Sequence, residues 1–355
     1  MSLDRIRLAS LHDKVMNAEQ AAAFIQDGMT VGMSGFTRAG EAKAVPLALV
    51  KRAKADPLKI TLITGASLGN DLDKQLTEAG VLARRLPFQV DNTLRKAINK
   101  GEVMFIDQHL SETVEQMRNK QLKKPDIAVI EAVAITEDGG IIPTTSVGNS
   151  ASFAIFAEKV IVEINTNLSP AFEGLHDIYI PSYRPTRQPI PLTEVDERIG
   201  TQAINIDPSK IVGIVINSEF HDSPSTVTEP DDETQGIANH LIAFFEKEVA
   251  EDRLPKNLGP LQAGIGSIAN AVLTGLKDSN FEDLIMYSEV LQDCTFELID
   301  AGKMKFASGS SITLSAKYGE KVFNNLEAYK DKLVLRPQEI SNHPELVRRL
   351  GIIGI

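Results

Sequence analysis

Phe281-Glu282-Asp283-Leu284-Ile285-Met286-Tyr287-Ser288-Glu289 is a short apolar run that ends on a carboxylate. About twenty residues upstream lies Gln262-Ala263-Gly264-Ile265-Gly266-Ser267-Ile268-Ala269-Asn270-Ala271-Val272, a glycine-rich turn that opens a helical pattern. Turn, helix and strand in that order form one unit of an α/β fold. A carboxylate at a strand end, facing a turn with free backbone N–H groups, is what carboxylate-nucleophile chemistry on an acyl group requires.

The same alternation continues outward. Candidate strands are Thr30-Val31-Gly32-Met33-Ser34, Ile60-Thr61-Leu62-Ile63-Thr64, Val103-Met104-Phe105-Ile106 and Ile127-Ala128-Val129-Ile130. Two more are Val160-Ile161-Val162-Glu163-Ile164 and Ile211-Val212-Gly213-Ile214-Val215. Helical patterns lie between them, for example 44–55 and 112–119. Near-continuous apolar strands alternating with helices predict mostly parallel sheets covered by helices.

Residues 217–233 are rich in Pro, Ser and acidic residues and read as a linker that buries little. Its acidic end predicts the N-terminus of a helix over 236–248. The two sides of the linker look related. The turn at Gly32 parallels that at Gly264, and the strand at Ile60 parallels the one at Leu284. Residues 101–106 parallel 302–307, and 127–131 parallel 351–355. This predicts a duplicated α/β unit: residues 1–216, a linker over 217–233, and 234–355. The second copy stops on apolar β-branched residues, so the expectation is that it is the first part of a longer domain.

The 355 residues carry 37 basic and 48 acidic side chains, a net charge of −11. That balance, without a basic run, argues against nucleic-acid binding. No h-region follows the N-terminus and no apolar stretch approaches membrane-spanning length, so the expected location is the cytoplasm, off the membrane. Cys294 is the one cysteine. It excludes a disulfide framework and a multi-cysteine zinc site, and its apolar setting reads as core.

Glu289 reads either as a nucleophile at the C-terminal edge of a sheet or as an ordinary glutamate in a helix capped by Ser288. Gly264-Ile265-Gly266 can aim the Ile265 N–H at an oxyanion, bind phosphate at a helix N-terminus, or simply turn the chain. Ala269 or Asn270 stands where a dinucleotide fingerprint would continue, so a NAD site is weakly supported, and no P-loop is present. Thr64-Gly65-Ala66-Ser67 and Val147-Gly148-Asn149-Ser150 follow strands and can approach a ligand or merely form turns. The six histidines do not cluster at metal-ligand spacing. His109 follows a strand and can line a cleft, though a cap or surface role is the commoner one. Asn342 precedes a helix begun by His343-Pro344 and can reach into the cleft.

Taken together, these residues resemble the class I CoA-transferases of the acetyl-CoA hydrolase/transferase type. The resemblance also runs through Ser34-Gly35-Phe36, His109-Leu110-Ser111-Glu112, Met286 to Gln292 and Leu335 to Asn342. It implies two similar open α/β domains with the active site between them, in a homodimer. It implies Glu289 as nucleophile, the Ile265 N–H as an oxyanion donor and Asn342 beside the glutamate. Gly264, Gly266, Ser267, Asn270, Ser67, Gly148 and Asn149 become contacts for substrate and coenzyme A. Coenzyme A is then a substrate, with no metal, NAD or ATP. The implied reaction moves CoA between a short-chain acyl-CoA (acetyl, succinyl or propionyl) and acetate or succinate, by ping-pong chemistry. Family members run past residue 355, where a second oxyanion donor and a CoA-contacting glycine loop are expected. The alternatives are an acyl-CoA hydrolase using the same site, a non-catalytic CoA-binding protein and, third, a nicotinamide dehydrogenase.

Overall fold

Apolar strands bounded by small-residue turns build two parallel-rich sheets whose carboxyl ends meet. The computed structural model describes residues 3–226 and 230–355. Met1, Ser2 and residues 227–229 of the expected linker lie outside them.

The first sheet holds β1 (Thr30–Met33), β2 (Ile60–Ile63), β3 (Leu82–Leu86), β4 (Met104–Phe105), β5 (Ile127–Ile135), β6 (Ile141–Pro143), β7 (Lys159–Asn165) and β8 (Ile211–Asn217). Its order is β4-β3-β2-β1-β5-β7-β8, with β6 on β5. Only β6 runs antiparallel to its neighbour. β1 and β5 are buried along their whole length, as strands covered on both faces must be. Gly32 in β1 lets the Phe153 side chain approach the strand closely, because a Cβ there would stand 2.7 Å from the Phe153 ring.

The second sheet holds β9 (Pro260–Gln262), β10 (Leu284–Tyr287), β12 (Met304–Gly309), β14 (Leu333–Leu335) and β15 (Ile353–Gly354), in the order β14-β12-β10-β9-β15. A separate parallel pair joins β11 (Val290–Leu291) to β13 (Ser311–Ile312). The strand order of the first sheet recurs: β1, β2, β3, β4 and β5 correspond to β9, β10, β12, β14 and β15. The expected match of residues 101–106 with 302–307 is therefore one strand out. β12 is the counterpart of β3, and β4 that of β14. Arg84 and Arg85 interrupt the apolar run of β3 and hid it from a periodicity reading. Arg85 is fully buried because Asp73 accepts its Nε–H at 2.8 Å.

Loops past the strand ends sew the sheets together. The Val147 N–H donates to Ser310 O at 2.9 Å, Ile312 N–H to Thr145 O at 2.8 Å, and Gln338 N–H to Gly148 O at 3.0 Å. Buried ion pairs, Arg336 with Asp177 and Arg118 with Glu339, cross the same joint. The described part of the expected linker also departs from expectation. Its composition buries little apolar surface, but polar anchors hold it. Asp222 meets Lys43 Nζ at 2.7 Å and accepts from the Gly40 N–H and the Thr145 hydroxyl. The Ser225 N–H donates to Leu314 O at 2.8 Å.

His176 lies in this joint, wholly buried, with its Nε2–H donating to Thr144 O at 3.0 Å. Burial depresses its pKa from 6.5 to about 4, with nearby Arg198 adding to the effect and the bond to Thr144 opposing it. The unfolded chain therefore takes up the proton first. The stability that neutral His176 contributes is complete above its unfolded pKa and is lost as pH falls toward its folded one. Over the whole window this amounts to roughly 3 kcal/mol. Urea unfolding at about pH 7 and about pH 4.5 should show wild type losing more stability than His176→Gln. Equal losses in the two proteins would refute the neutral buried ring.

Candidate active site

β10 ends at Tyr287, and Ser288-Glu289 leads directly into β11. The next helix begins only at Asp293, so Glu289 is not in a helix capped by Ser288. The Glu289 carbonyl accepts from the Ser310 N–H at 2.7 Å and the Ser311 N–H at 3.1 Å, which fixes its backbone at the joint. On either side of it, the Ser288 hydroxyl donates to Ala263 O at 3.1 Å and Gln292 Nε2 donates to Gly264 O at 3.1 Å. The glycine turn is thus bound to both flanks of the glutamate. The Gly264 N–H is occupied by Ile355 O at 2.9 Å. The N–H groups of Ile265 and Gly266 meet no acceptor among the described residues.

Asn342 arrives from the other side. Its Nδ2–H donates to Glu289 Oε1. Asn342 ends the helix Gln338–Ser341, and the Tyr287 hydroxyl anchors that helix by donating to Ile340 O at 2.7 Å. The amide of Gln338 donates to Gly65 O at 3.0 Å and Leu110 O at 2.9 Å. Asn342 Oδ1 is buried and has no partner among the described residues.

The remaining expected residues separate into two groups. Gly266, Ser267 and Asn270, with Ile265, line a cavity of about 440 Å³ that also takes in Gln292 and Tyr318. Ser67, Gly148 and Asn149 are instead built into the joint. Gly148 O accepts from Gln338, and Asn149 Nδ2 donates to Thr64 O at 3.1 Å. Ser67 is buried and bonds neither Glu289 nor Asn342. Its neighbour Ala66 packs with Phe36, Val290 and Leu110 into an apolar wall next to the glutamate. Cys294 is core, as expected: burial pushes its thiol up to about 12, so it is no thiolate near neutral pH.

Burial raises the half-buried Glu289 carboxyl above its ordinary pKa, and His109 acts against that shift. His109 is exposed, as a surface residue should be, but its charge reaches the site. His109 Nδ1 lies 2.9 Å from the Ser111 hydroxyl. The sequence admits His109 as a cleft residue but does not place it in the site, because nothing local joins it to Glu289. Its one signal was its position just past a parallel strand end, where open α/β folds place ligands. Gln338 was missed for the same reason.

A half-buried carboxylate held by a neutral amide beside unoccupied backbone N–H groups can attack an acyl carbon and have the oxyanion stabilised. Among the described residues no group of three or more His, Cys, Asp or Glu could hold a metal ion, and no helix is long and apolar enough to cross a membrane.

Residues 2–216 match the acetyl-CoA hydrolase/transferase N-terminal domain. Over 353 residues, 99% of this chain and 65% of the relative, the chain is 45% identical to succinyl-CoA:acetate CoA-transferase of Clostridium kluyveri. It is 43% identical to acetyl-CoA hydrolase of Schizosaccharomyces pombe, over 99% of this chain and 69% of that one. The chain thus spans about two thirds of the length of these curated relatives. RipA from Yersinia pestis shares the fold with a TM-score of 0.71 at 17% identity, over 97% of this chain and 73% of that one. A 4-hydroxybutyrate CoA-transferase from Porphyromonas gingivalis does so with a TM-score of 0.61 at 18% identity, again over 97% and 73%.

If His109 opposes the burial of Glu289, His109→Asn should raise the Glu289 pKa further. A side-chain carboxyl titration followed by carbon NMR reads this directly. An unmoved Glu289 titration would separate the two residues.

Proposed function

We propose, since the chain belongs to the acetyl-CoA hydrolase/transferase family, that it moves CoA between a short-chain acyl-CoA and a free carboxylate through covalent intermediates on Glu289. The observation that carries this reading is the Asn342 amide on the Glu289 carboxylate, at a strand end bound to a turn with unoccupied N–H groups.

The ionised Glu289 attacks the thioester carbon. The Ile265 N–H holds the developing oxyanion, a donor of a kind worth about 3 kcal/mol in the transition state. The C–S bond breaks, CoA leaves as thiolate, and an acyl-glutamyl anhydride remains. The thiolate then attacks the glutamyl carbonyl of the anhydride. The acyl group departs as a carboxylate, and Glu289 is left as a CoA thioester. An acceptor carboxylate runs the same two steps in reverse. One thioester is exchanged for another, so the sequence conserves the bond energy without ATP, and it is ping-pong.

Glu289 must be ionised to attack. Burial opposes that state, and the Asn342 N–H and His109 favour it. Neutral donors suit the task, since a cation bonded to the carboxylate would also hold back its attack.

Acetyl-, succinyl- and propionyl-CoA, with acetate or succinate as acceptors, remain the candidate substrates. Hydrolysis is the second reading. Glu289 is only half-buried, so water can reach the same intermediates, and the relatives include proteins named acetyl-CoA hydrolase.

Incubation with acetyl-CoA or succinyl-CoA should give a CoA-sized mass adduct on the Tyr287-Ser288-Glu289 peptide. Glu289→Gln should form none and lose turnover by at least ~10⁴-fold. Wild-type turnover without any adduct would sink the covalent route. Turnover that depends on added carboxylate marks a transferase, and turnover without it a hydrolase.

A further inference from the structure

The helix Gln338–Ser341 that delivers Asn342 is four residues long. A helix that short does not hold its own direction. Three successive residues hold it from outside: Gln338 through Gly65 and Leu110, Glu339 through Arg118, and Ile340 through Tyr287.

The Glu339 contact differs from the others in kind. Arg118 closes the helix Thr113–Arg118, on the far side of the joint and 221 residues away in sequence. Its guanidinium grips both carboxylate oxygens, Nη1 to Oε1 at 2.9 Å and Nη2 to Oε2. Both side chains are 1% exposed. Burial raises the Glu339 carboxyl, and Arg118 opposes that rise without cancelling it. Arg118 Nε is buried without a partner among the described residues. Desolvating such a pair roughly offsets its attraction, and an apolar pair of similar size would hold the two units together as well. What a bidentate pair supplies beyond cohesion is a fixed orientation. Glu339 lies three residues before Asn342, and the Asn342 N–H bonds Gln338 O at 2.9 Å within the same turn. A shift at Glu339 is therefore passed to the Asn342 amide.

We propose that Arg118 is a positioning residue: its pair with Glu339 sets the Asn342 amide on Glu289. The inference rests on Glu289 being the nucleophile, but the contact it concerns can be measured without turnover.

Arg118→Met alone would strand a buried carboxylate and risks unfolding the chain. The informative variant is Arg118→Met with Glu339→Met, which removes both charges and keeps the volume. It should melt within about 5 °C of wild type, since apolar replacement of a buried pair is tolerated. Its Glu289 carboxyl should titrate at higher pH than in wild type, because the Asn342 donor no longer favours the ionised form. Its kcat should fall about 10- to 100-fold with KM for acyl-CoA within about twofold, the pattern of a misplaced reacting group. Arg118→Lys, which keeps the charge but not the fork, should recover part of that loss.

A folded double variant with wild-type Glu289 titration overturns the proposal, as does one whose melting temperature falls while the titration stays put. If wild type itself turns over no acyl-CoA, the covalent reading fails, and the Glu289 titration still decides the role of Arg118.

Discussion

The side-chain amide of Gln338 is the contact on which the site depends. Its Nε2 ties down the loop after β2, through Gly65 O, and the loop after β4, through Leu110 O. Its backbone N–H ties the loop after β6, through Gly148 O. The amide can sit there only because Gly65 lacks a side chain. A Cβ on Gly65 would stand 2.5 Å from Gly35 O and 2.7 Å from Gln338 Oε1. This is glycine used for close approach rather than for chain flexibility. Removing the amide would leave two buried carbonyls without donors and free the helix that carries Asn342.

The same joint explains why the glutamate is poised rather than merely buried. Charged groups around it are paired among themselves, Arg118 with Glu339 and Arg336 with Asp177. The hydrogen bond to the Glu289 carboxylate comes from an uncharged amide. Burial then raises the carboxyl while His109 moderates the rise. A full ion pair at Glu289 would have pushed the balance toward a stable, unreactive carboxylate. Asn342 Oδ1, Gln338 Oε1 and Asn149 Oδ1 are all buried without partners among the described residues, so the joint keeps acceptor capacity in reserve.

The sequence disclosed what short-range chemistry controls. The strand ending in Tyr287-Ser288-Glu289, the turn at Gly264 and the helix start at Pro344 are each local patterns, and each lies where its pattern put it. β3 was illegible because Arg84 and Arg85 break its apolar run, and Arg85 is tolerable in the core only through Asp73, twelve residues earlier. Ser67, Gly148 and Asn149 were recognisable as loops that approach something closely, but what they approach is the other half of the chain. The linker carried the composition of an exposed tether, yet Asp222 docks on Lys43 far upstream. Long-range polar partners of this kind leave no periodic trace.

The repeated strand order gives the site its logic. β4 and β14 occupy the same place in their two sheets, and each sends a neighbour to Glu289: His109 from the chain after β4, Asn342 from the chain after β14. β2 and β10 likewise correspond. Two residues past the end of one lies Gly65, which admits the Gln338 amide; two residues past the end of the other lies Glu289 itself. An open α/β sheet offers its strand ends as a place for chemistry. Two such sheets set end to end offer corresponding positions twice, on facing surfaces. The two sheets can then divide the work, one supplying the carboxylate at a position where the other supplies the space that lets its neighbours be held. A single copy has no facing surface to hold Asn342 against Glu289, so the arrangement requires both.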